Sequence, residues 1–133
     1  MIVFVDASAL VAITKGEPER ADLLDRFTLF ERGLWSAMSC WEAVSALSRS
    51  YRMNFADAVT EVRNTAGIMR LKLVEIDRDE LDAALDAYDR YGKGSGHPAK
   101  LNMGDCFAYA CAKTNSAHLL YKGDDFSHTD LGR

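Results

Sequence analysis

Five acids hold most of the chemistry open to this 133-residue chain: Asp6, Glu42, Asp105 and the adjacent pair Asp124 and Asp125. Each follows an apolar run or opens a candidate helix, and no matching set of Lys or Arg accompanies them. Two unpaired carboxylates about 4 Å apart repel by about 4 kcal/mol at an effective dielectric of 20, so a cluster of them calls for a cation. Hard oxygen ligands select Mg²⁺ or Mn²⁺, which bind through a few carboxylates plus substrate phosphates. One ion makes water a better nucleophile, and a second about 3.5–4 Å away stabilises the leaving oxygen of an in-line displacement. The expected chemistry is phosphoryl transfer.

Each acid also has a purely structural reading. Asp6, two residues before Ser8, fits a strand-end Asp that caps the next helix. Ser39-Cys-Trp-Glu42 and Asn102-Met-Gly-Asp105 both fit capping boxes, and Asp124-Asp125 after Gly123 fits a turn. Capping explains each acid singly. It does not explain why separate segments deliver their acids to one edge of a sheet.

The elements that must position them alternate. Ile2 to Val5 is a wholly apolar, β-branched run, as expected for a strand buried on both faces. A helix follows from Ala7 to Ile13 and stops at Gly16; Pro18 lies near the first turn of a second, with Leu23, Leu24, Phe27 and Phe30 at helical spacing. Residues 34–38 read as a short strand and Ser39 to Tyr51 as a helix striped by Trp41, Val44, Leu47 and Ser48. Asn54 is expected to cap a helix reaching Ile68. Leu71 to Ile76 reads as a strand, and Asp77 with Glu80 as a capping box opening a helix to Tyr91. After the loop Gly92-Lys-Gly-Ser-Gly-His-Pro98, Asn102 is expected to cap Met103 to Thr114, before a last clear strand at His118 to Tyr121. Strands alternating with helices imply parallel pairing through crossovers, hence a three-layer α/β/α domain with a central parallel sheet of four to five strands. Ligands of such sheets bind beyond the carboxyl ends of the strands, where Asp6 and Asp124-Asp125 stand.

Composition sets the outer bounds. With 48% hydrophobic and 27% charged residues, nine Gly and two Pro, the chain reads as one globular domain over residues 1–133. Cys40, Cys106 and Cys111 lack CxxC spacing and read as buried, reduced thiols. No basic segment precedes the first apolar run and no apolar stretch approaches 18 residues, so neither a signal peptide nor a membrane span is expected, and the expected compartment is the cytoplasm. The formal net charge of −4 argues at first sight against a nucleic-acid partner. Removing the four candidate ligands Asp6, Glu42, Asp105 and Asp125 from the 20 acids leaves 16 against 16 Lys and Arg. The excess is the candidate site itself, and one or two divalent ions would halve or cancel it.

The segments Val5-Asp6-Ala-Ser8-Ala-Leu, Trp41-Glu42-Ala-Val-Ser-Ala-Leu, Leu101-Asn102-Met-Gly104-Asp105-Cys-Phe-Ala-Tyr-Ala and Leu119-Leu-Tyr-Lys-Gly123-Asp-Asp125-Phe126 together resemble the PIN-domain ribonucleases, in particular the VapC-type toxins of VapBC toxin–antitoxin pairs. The resemblance spans nearly the whole chain. It implies a five-stranded parallel sheet flanked by helices and Mg²⁺- or Mn²⁺-dependent endoribonuclease activity, commonly on transfer RNA. It also implies a homodimer and a toxin–antitoxin hetero-oligomer with a cognate VapB-type antitoxin. By the same resemblance, Asp6, Glu42, Asp105 and Asp125 match the family's catalytic and metal-binding acids, with Asp124 as a further candidate reaching a second ion. Ser8 matches a supporting hydroxyl, and Asn102 a turn residue that supports the third acid by capping. The chain ends at Arg133 before a clear fifth strand.

Two other classes compete. A receiver-like Mg²⁺-binding signalling domain is also α/β, but it places adjacent acids early and a Lys late, whereas here Asp6 stands alone and the pair comes last. A catalytically inactive PIN-fold binding protein is the third reading, although all the expected acids are present. His97, His118 and His128 lack ligand spacing and receive no role. Trp41, Leu47 and Tyr51, and Tyr88, Phe107 and Tyr109, read as core or as contacts with a second copy or antitoxin. Lys15, Arg49, Lys93, Lys100 and Lys122 are surface cations near the supposed edge, with Lys93 and Lys100 favoured as RNA contacts because they flank the glycine loop.

Overall fold

A computed structural model of the chain describes residues 1–132. Four strands, β1 (Ile2–Val5), β2 (Arg32–Ser36), β3 (Lys72–Val74) and β4 (His118–Leu120), form one parallel sheet in the order β3-β2-β1-β4. Six helices intervene: α1 (Ala7–Lys15), α2 (Arg20–Phe27), α3 (Ala37–Ser50), α4 (Phe55–Ile68), α5 (Arg78–Tyr91) and α6 (Met103–Thr114). The three-layer α/β/α expectation holds, with four strands. Chain order runs outward from β1 to β2 and β3, then returns to place β4 on the other side of β1. β1 is therefore the switch point, where loops from adjacent strands part and leave a crevice.

The apolar run of β1 is buried because both faces of the sheet are covered. Successive strand side chains point to opposite faces. Phe4 joins the core of α5 and α6, with Ala87, Cys106 and Tyr109, while Val3 and Val5 join that of α1, α3 and α4, with Leu10, Leu47 and Val62. Burying a side chain of the Val, Leu or Phe class contributes about 1.5–3 kcal/mol.

Helix ends follow local chemistry. Asp6 caps α1, and Gly16 closes it in the left-handed conformation at φ 65°, which glycine adopts without penalty. Asn54 caps α4, and Asp77 with Glu80 forms the expected capping box of α5. The start of α3 differs from expectation: Ser36 and Ser39 make the capping box, so the helix begins at Ala37 and the preceding strand covers Arg32–Ser36. β3 is shorter than residues 71–76, and α2 ends at Phe27, short of Phe30.

No fifth strand follows β4 among the described residues. Turns closed by Ser127 N–H to the Asp124 carbonyl and Thr129 N–H to the Phe126 carbonyl occupy that position. Buried Phe126 and partly buried Leu131 seat the segment on the α5–α6 core. All three cysteines are free; Cys106 and Cys111 are buried, and Cys40 is only half-buried. Among the described residues, no helix is long and apolar enough to cross a membrane.

Candidate active site

Asp6 ends β1 at the switch point and is 5% exposed. Its Oδ2 accepts the Ser8 N–H at 3.0 Å and the Ser8 hydroxyl at 2.6 Å. The same hydroxyl accepts the Lys122 N–H at 3.0 Å. Ser8 thus holds the Asp6 carboxylate and fastens the exit of β4 to the exit of β1, while the cap of α1 is Asp6 itself.

Glu42 lies in the second turn of α3. Because Ser36 and Ser39 cap that helix between themselves, Glu42 is not the cap partner that Ser39-Cys-Trp-Glu42 suggests. It is half-buried and makes no hydrogen bond or salt bridge among the described residues. Asp105, in the first turn of α6, does form the expected box: Asn102 Oδ1 accepts the Asp105 N–H at 2.9 Å, and Asp105 Oδ2 accepts the Asn102 N–H at 3.1 Å. Asp6 and Asp105 therefore each commit one oxygen to their own helix start, and that orients the carboxyl group.

These three acids line one cavity of about 380 Å³, together with Ser8, Arg49 and Lys122. The buried Gly104 forms part of the close packing. A Cβ on it would overlap the Glu42 carboxylate, so the glycine is what lets α6 approach Glu42. The signal in the sequence is a glycine in the opening turn of a helix, where it costs about 1 kcal/mol relative to Ala.

The electrostatics are those of an uncompensated cluster. Burial raises the Asp6 carboxyl above its usual range, opposed by its hydrogen bonds from Ser8 and reinforced by the charge of Asp125. Glu42 is pushed up to about 7 by burial and then by Asp6 and Asp105. Asp105 is pushed to about 7 by burial, against the Asn102 N–H, and further by Asp6 and Asp125. Asp125 is exposed and lies outside the cavity wall, but its charge acts on both aspartates. The charges acting on Asp6, Glu42 and Asp105 come from one another and from Asp125. Asp124 is exposed, and its carbonyl accepts from the Ser127 N–H and hydroxyl, which is the turn role.

The donor set fits a hard divalent ion in kind: all oxygen, partly desolvated, with no salt bridge to any of the four acids among the described residues. Among those residues, no three His, Cys, Asp or Glu side chains close on a common point tightly enough to hold an ion as they stand. The raised carboxyls reflect burial first and then repulsion among acids that have no cation paired to them among the described residues.

The remaining sequence candidates divide. Trp41 is not core; it is 68% exposed, on the rim between the acid cavity and an apolar groove of about 630 Å³ lined by Trp35, Val44, Phe55 and Leu73. Tyr88 is exposed, while Leu47 and Tyr109 are buried. Lys93 and Lys100 lie on the loop beyond α5 and line no wall of the acid cavity. His97 serves its own loop, its Nδ1 accepting the Ala99 N–H and its ring packing edge-on to Tyr91.

The PIN domain family model matches residues 3–131. A VapC ribonuclease of Rhizobium meliloti is 43% identical, over 97% of this chain and 99% of that protein. Ribonuclease VapC42 of Mycobacterium tuberculosis is 36% identical, over 97% and 96%. Among solved structures, Mycobacterium tuberculosis VapC20, a toxin described as cleaving the Sarcin-Ricin loop, superposes with a TM-score of 0.67 at 15% identity, covering 94% of this chain and 92% of that one, which shows a shared fold. Matched almost from end to end by both the family model and these relatives, the chain belongs to the PIN domain family, in the group of the VapC ribonucleases.

Proposed function

We propose that this protein is a Mg²⁺- or Mn²⁺-dependent endoribonuclease, the toxin of a type II toxin–antitoxin pair, which hydrolyses RNA phosphodiester bonds and so arrests translation and growth. The observation that carries the reading is the single cavity into which β1, α3 and α6 deliver Asp6, Glu42 and Asp105 with no cation paired to any of them among the described residues. Family membership sets aside the receiver-like alternative and favours RNA as substrate.

Asp6, Asp105 and Asp125 would hold one or two ions, with Glu42 as a direct or water-mediated ligand. A bound divalent ion would supply Lewis acidity and a more nucleophilic water. Ser8 holds the Asp6 carboxylate in one orientation, and Asn102 does the same for Asp105. Glu42, without a protein partner, is the acid free to turn toward the attacking water and orient it. Asp124 is the weakest candidate, since its observed role is in the turn.

The reading extends to a homodimer and to a VapB-type antitoxin that forms a hetero-oligomer with the toxin. Such an antitoxin would neutralise the acids with an Arg or Lys placed among them, and transfer RNA is the expected target class. The test compares RNA cleavage with Mg²⁺, Mn²⁺ or EDTA by the wild type, Asp6→Asn and Asp105→Asn. Metal-dependent cleavage by the wild type alone is expected. Equal cleavage by all three, or cleavage undiminished by EDTA, overturns the assignment.

A further inference from the structure

A nuclease must hold its strand as well as cut it, and we infer that Arg49 is the positioning residue that grips an RNA phosphate beside the acid cavity. The inference rests on the ribonuclease reading above.

Glu42, Ala46 and Arg49 are spaced by four and three residues on α3, so they share one face, and all three line the acid cavity. Seven residues at 1.5 Å each carry Arg49 about 10 Å along the helix from Glu42. A stacked strand presents a phosphate about every 3.4 Å along its axis, so the guanidinium meets one within about three nucleotides of the reacting phosphate. Ala46 between them is small and leaves the path open.

The other cation on this wall is already engaged. Lys122 Nζ lies 2.7 Å from Glu17 Oε1 and 3.8 Å from Glu19 Oε1, and Glu17 also accepts the Tyr51 hydroxyl. Arg49 is exposed and makes no salt bridge or side-chain hydrogen bond among the described residues. Its planar fork of donors matches a phosphate in two-point geometry. Arg49 also stands in the last turn of α3, where a cation suits the helix dipole. That role asks for positive charge at the helix end but not on the face shared with Glu42.

The test is binding of a labelled single-stranded oligouridylate, with Ca²⁺ present and KCl varied, to the wild type, Arg49→Ala, Arg49→Lys and Arg63→Ala. Arg63 is exposed in the neighbouring groove and lines no wall of the acid cavity. Arg49→Ala is expected to weaken binding about tenfold and to reduce the log–log salt slope by about 0.7, one phosphate contact on a single strand. In Mg²⁺ cleavage it should raise KM with kcat unchanged. Arg49→Lys should recover part of the loss, and Arg63→Ala should bind as the wild type does. Wild-type affinity and slope in Arg49→Ala overturn the inference. If that variant also sediments as a smaller species, Arg49 belongs to a protein contact instead. A wild type that binds RNA but cleaves none in Mg²⁺ or Mn²⁺ strikes only the ribonuclease reading, and the binding series still decides Arg49.

Discussion

The Glu42 carboxylate rests against the Cα of Gly104, leaving no room for a Cβ. The obstructing atoms belong to the end of a flexible side chain, so a larger residue at 104 would move Glu42 and spare the backbone. Gly104→Ala should therefore fold, helped by the better helix propensity of Ala. Its thermal midpoint should stay within about 3 °C of wild type, the shift of a change under about 1 kcal/mol. Cleavage should fall by between about ten- and a hundredfold, since an ångström of misplacement costs up to that much. Calorimetry and RNA cleavage side by side check this, and full activity would show that the close approach is not needed.

Neutralising the cluster should separate stability from activity. Glu42 and Asp105 are held up to about 7 chiefly by burial, which disfavours their charged forms. Glu42→Gln and Asp105→Asn should each raise the metal-free thermal midpoint at neutral pH while lowering cleavage by about a hundredfold or more, the scale of several kcal/mol of lost charge stabilisation. A variant that loses stability along with activity would mean that the acids hold the fold and do not strain it.

The same shifts fix a pH dependence. Between the ordinary values, 4.5 for Glu42 and 3.8 for Asp105, and about 7, the folded chain binds protons that the unfolded chain has released. Unfolding then releases protons, so metal-free stability falls as pH rises through this window and levels off above about 7. Mn²⁺ should flatten the slope, because a bound cation offsets the repulsion, and its binding near pH 7 should release protons. Thermal scans from pH 5 to pH 8 with and without Mn²⁺, plus titration calorimetry in two buffers, check both.

Ser8 offers a separate test of how the site is built. Its hydroxyl donates to Asp6 and accepts from the Lys122 N–H. Ser8→Ala strands the Lys122 N–H and leaves Asp6 Oδ2 only the backbone N–H of residue 8, and should cost about 1–2 kcal/mol in denaturant unfolding. Ser8→Thr keeps the hydroxyl and should restore most of the stability and the cleavage rate.

What was legible in the sequence was local. The α/β alternation, Asp6 at a strand end, Asn54, and the boxes at Asp77 with Glu80 and Asn102 with Asp105 all rest on signals within four residues, and all appear where expected. The start of α3 falls earlier than the sequence suggests, because Ser39 and Glu42 have the spacing of a capping box while the box that forms is that of Ser36 and Ser39. Pairing decides it: the register of Trp35 with Leu73 and Ser36 with Val74 keeps the chain extended to Ser36, so Ser36 becomes the cap and Glu42 is released to the cavity. Trp41 carries helical spacing, but spacing does not say which border of a stripe opens to solvent. The contacts of Ser8 with Lys122 and of Gly104 with Glu42 join segments far apart in the chain, and no local pattern announces them.

The segment beyond β4, where the family resemblance implies a fifth strand that the sequence does not clearly show, is anchored instead by one carboxylate. Tyr109 is 2% exposed, and its hydroxyl donates to Asp130 Oδ1 at 2.6 Å, while Lys113 pairs with the other oxygen. Removing Asp130 leaves the Tyr109 hydroxyl buried without its acceptor and loosens the turns that follow Asp125. Asp130→Ala should therefore destabilise the fold by about 1–3 kcal/mol, the penalty for an unsatisfied buried polar group. Tyr109→Phe in the Asp130→Ala background removes the stranded donor as well and should recover part of that loss. Strictly additive single and double variants in denaturant unfolding would show that the two residues are uncoupled. Because Asp125 lies in the same segment and its charge reaches Asp6 and Asp105, Asp130→Ala should also weaken Mn²⁺ binding, although Asp130 lines no wall of the acid cavity.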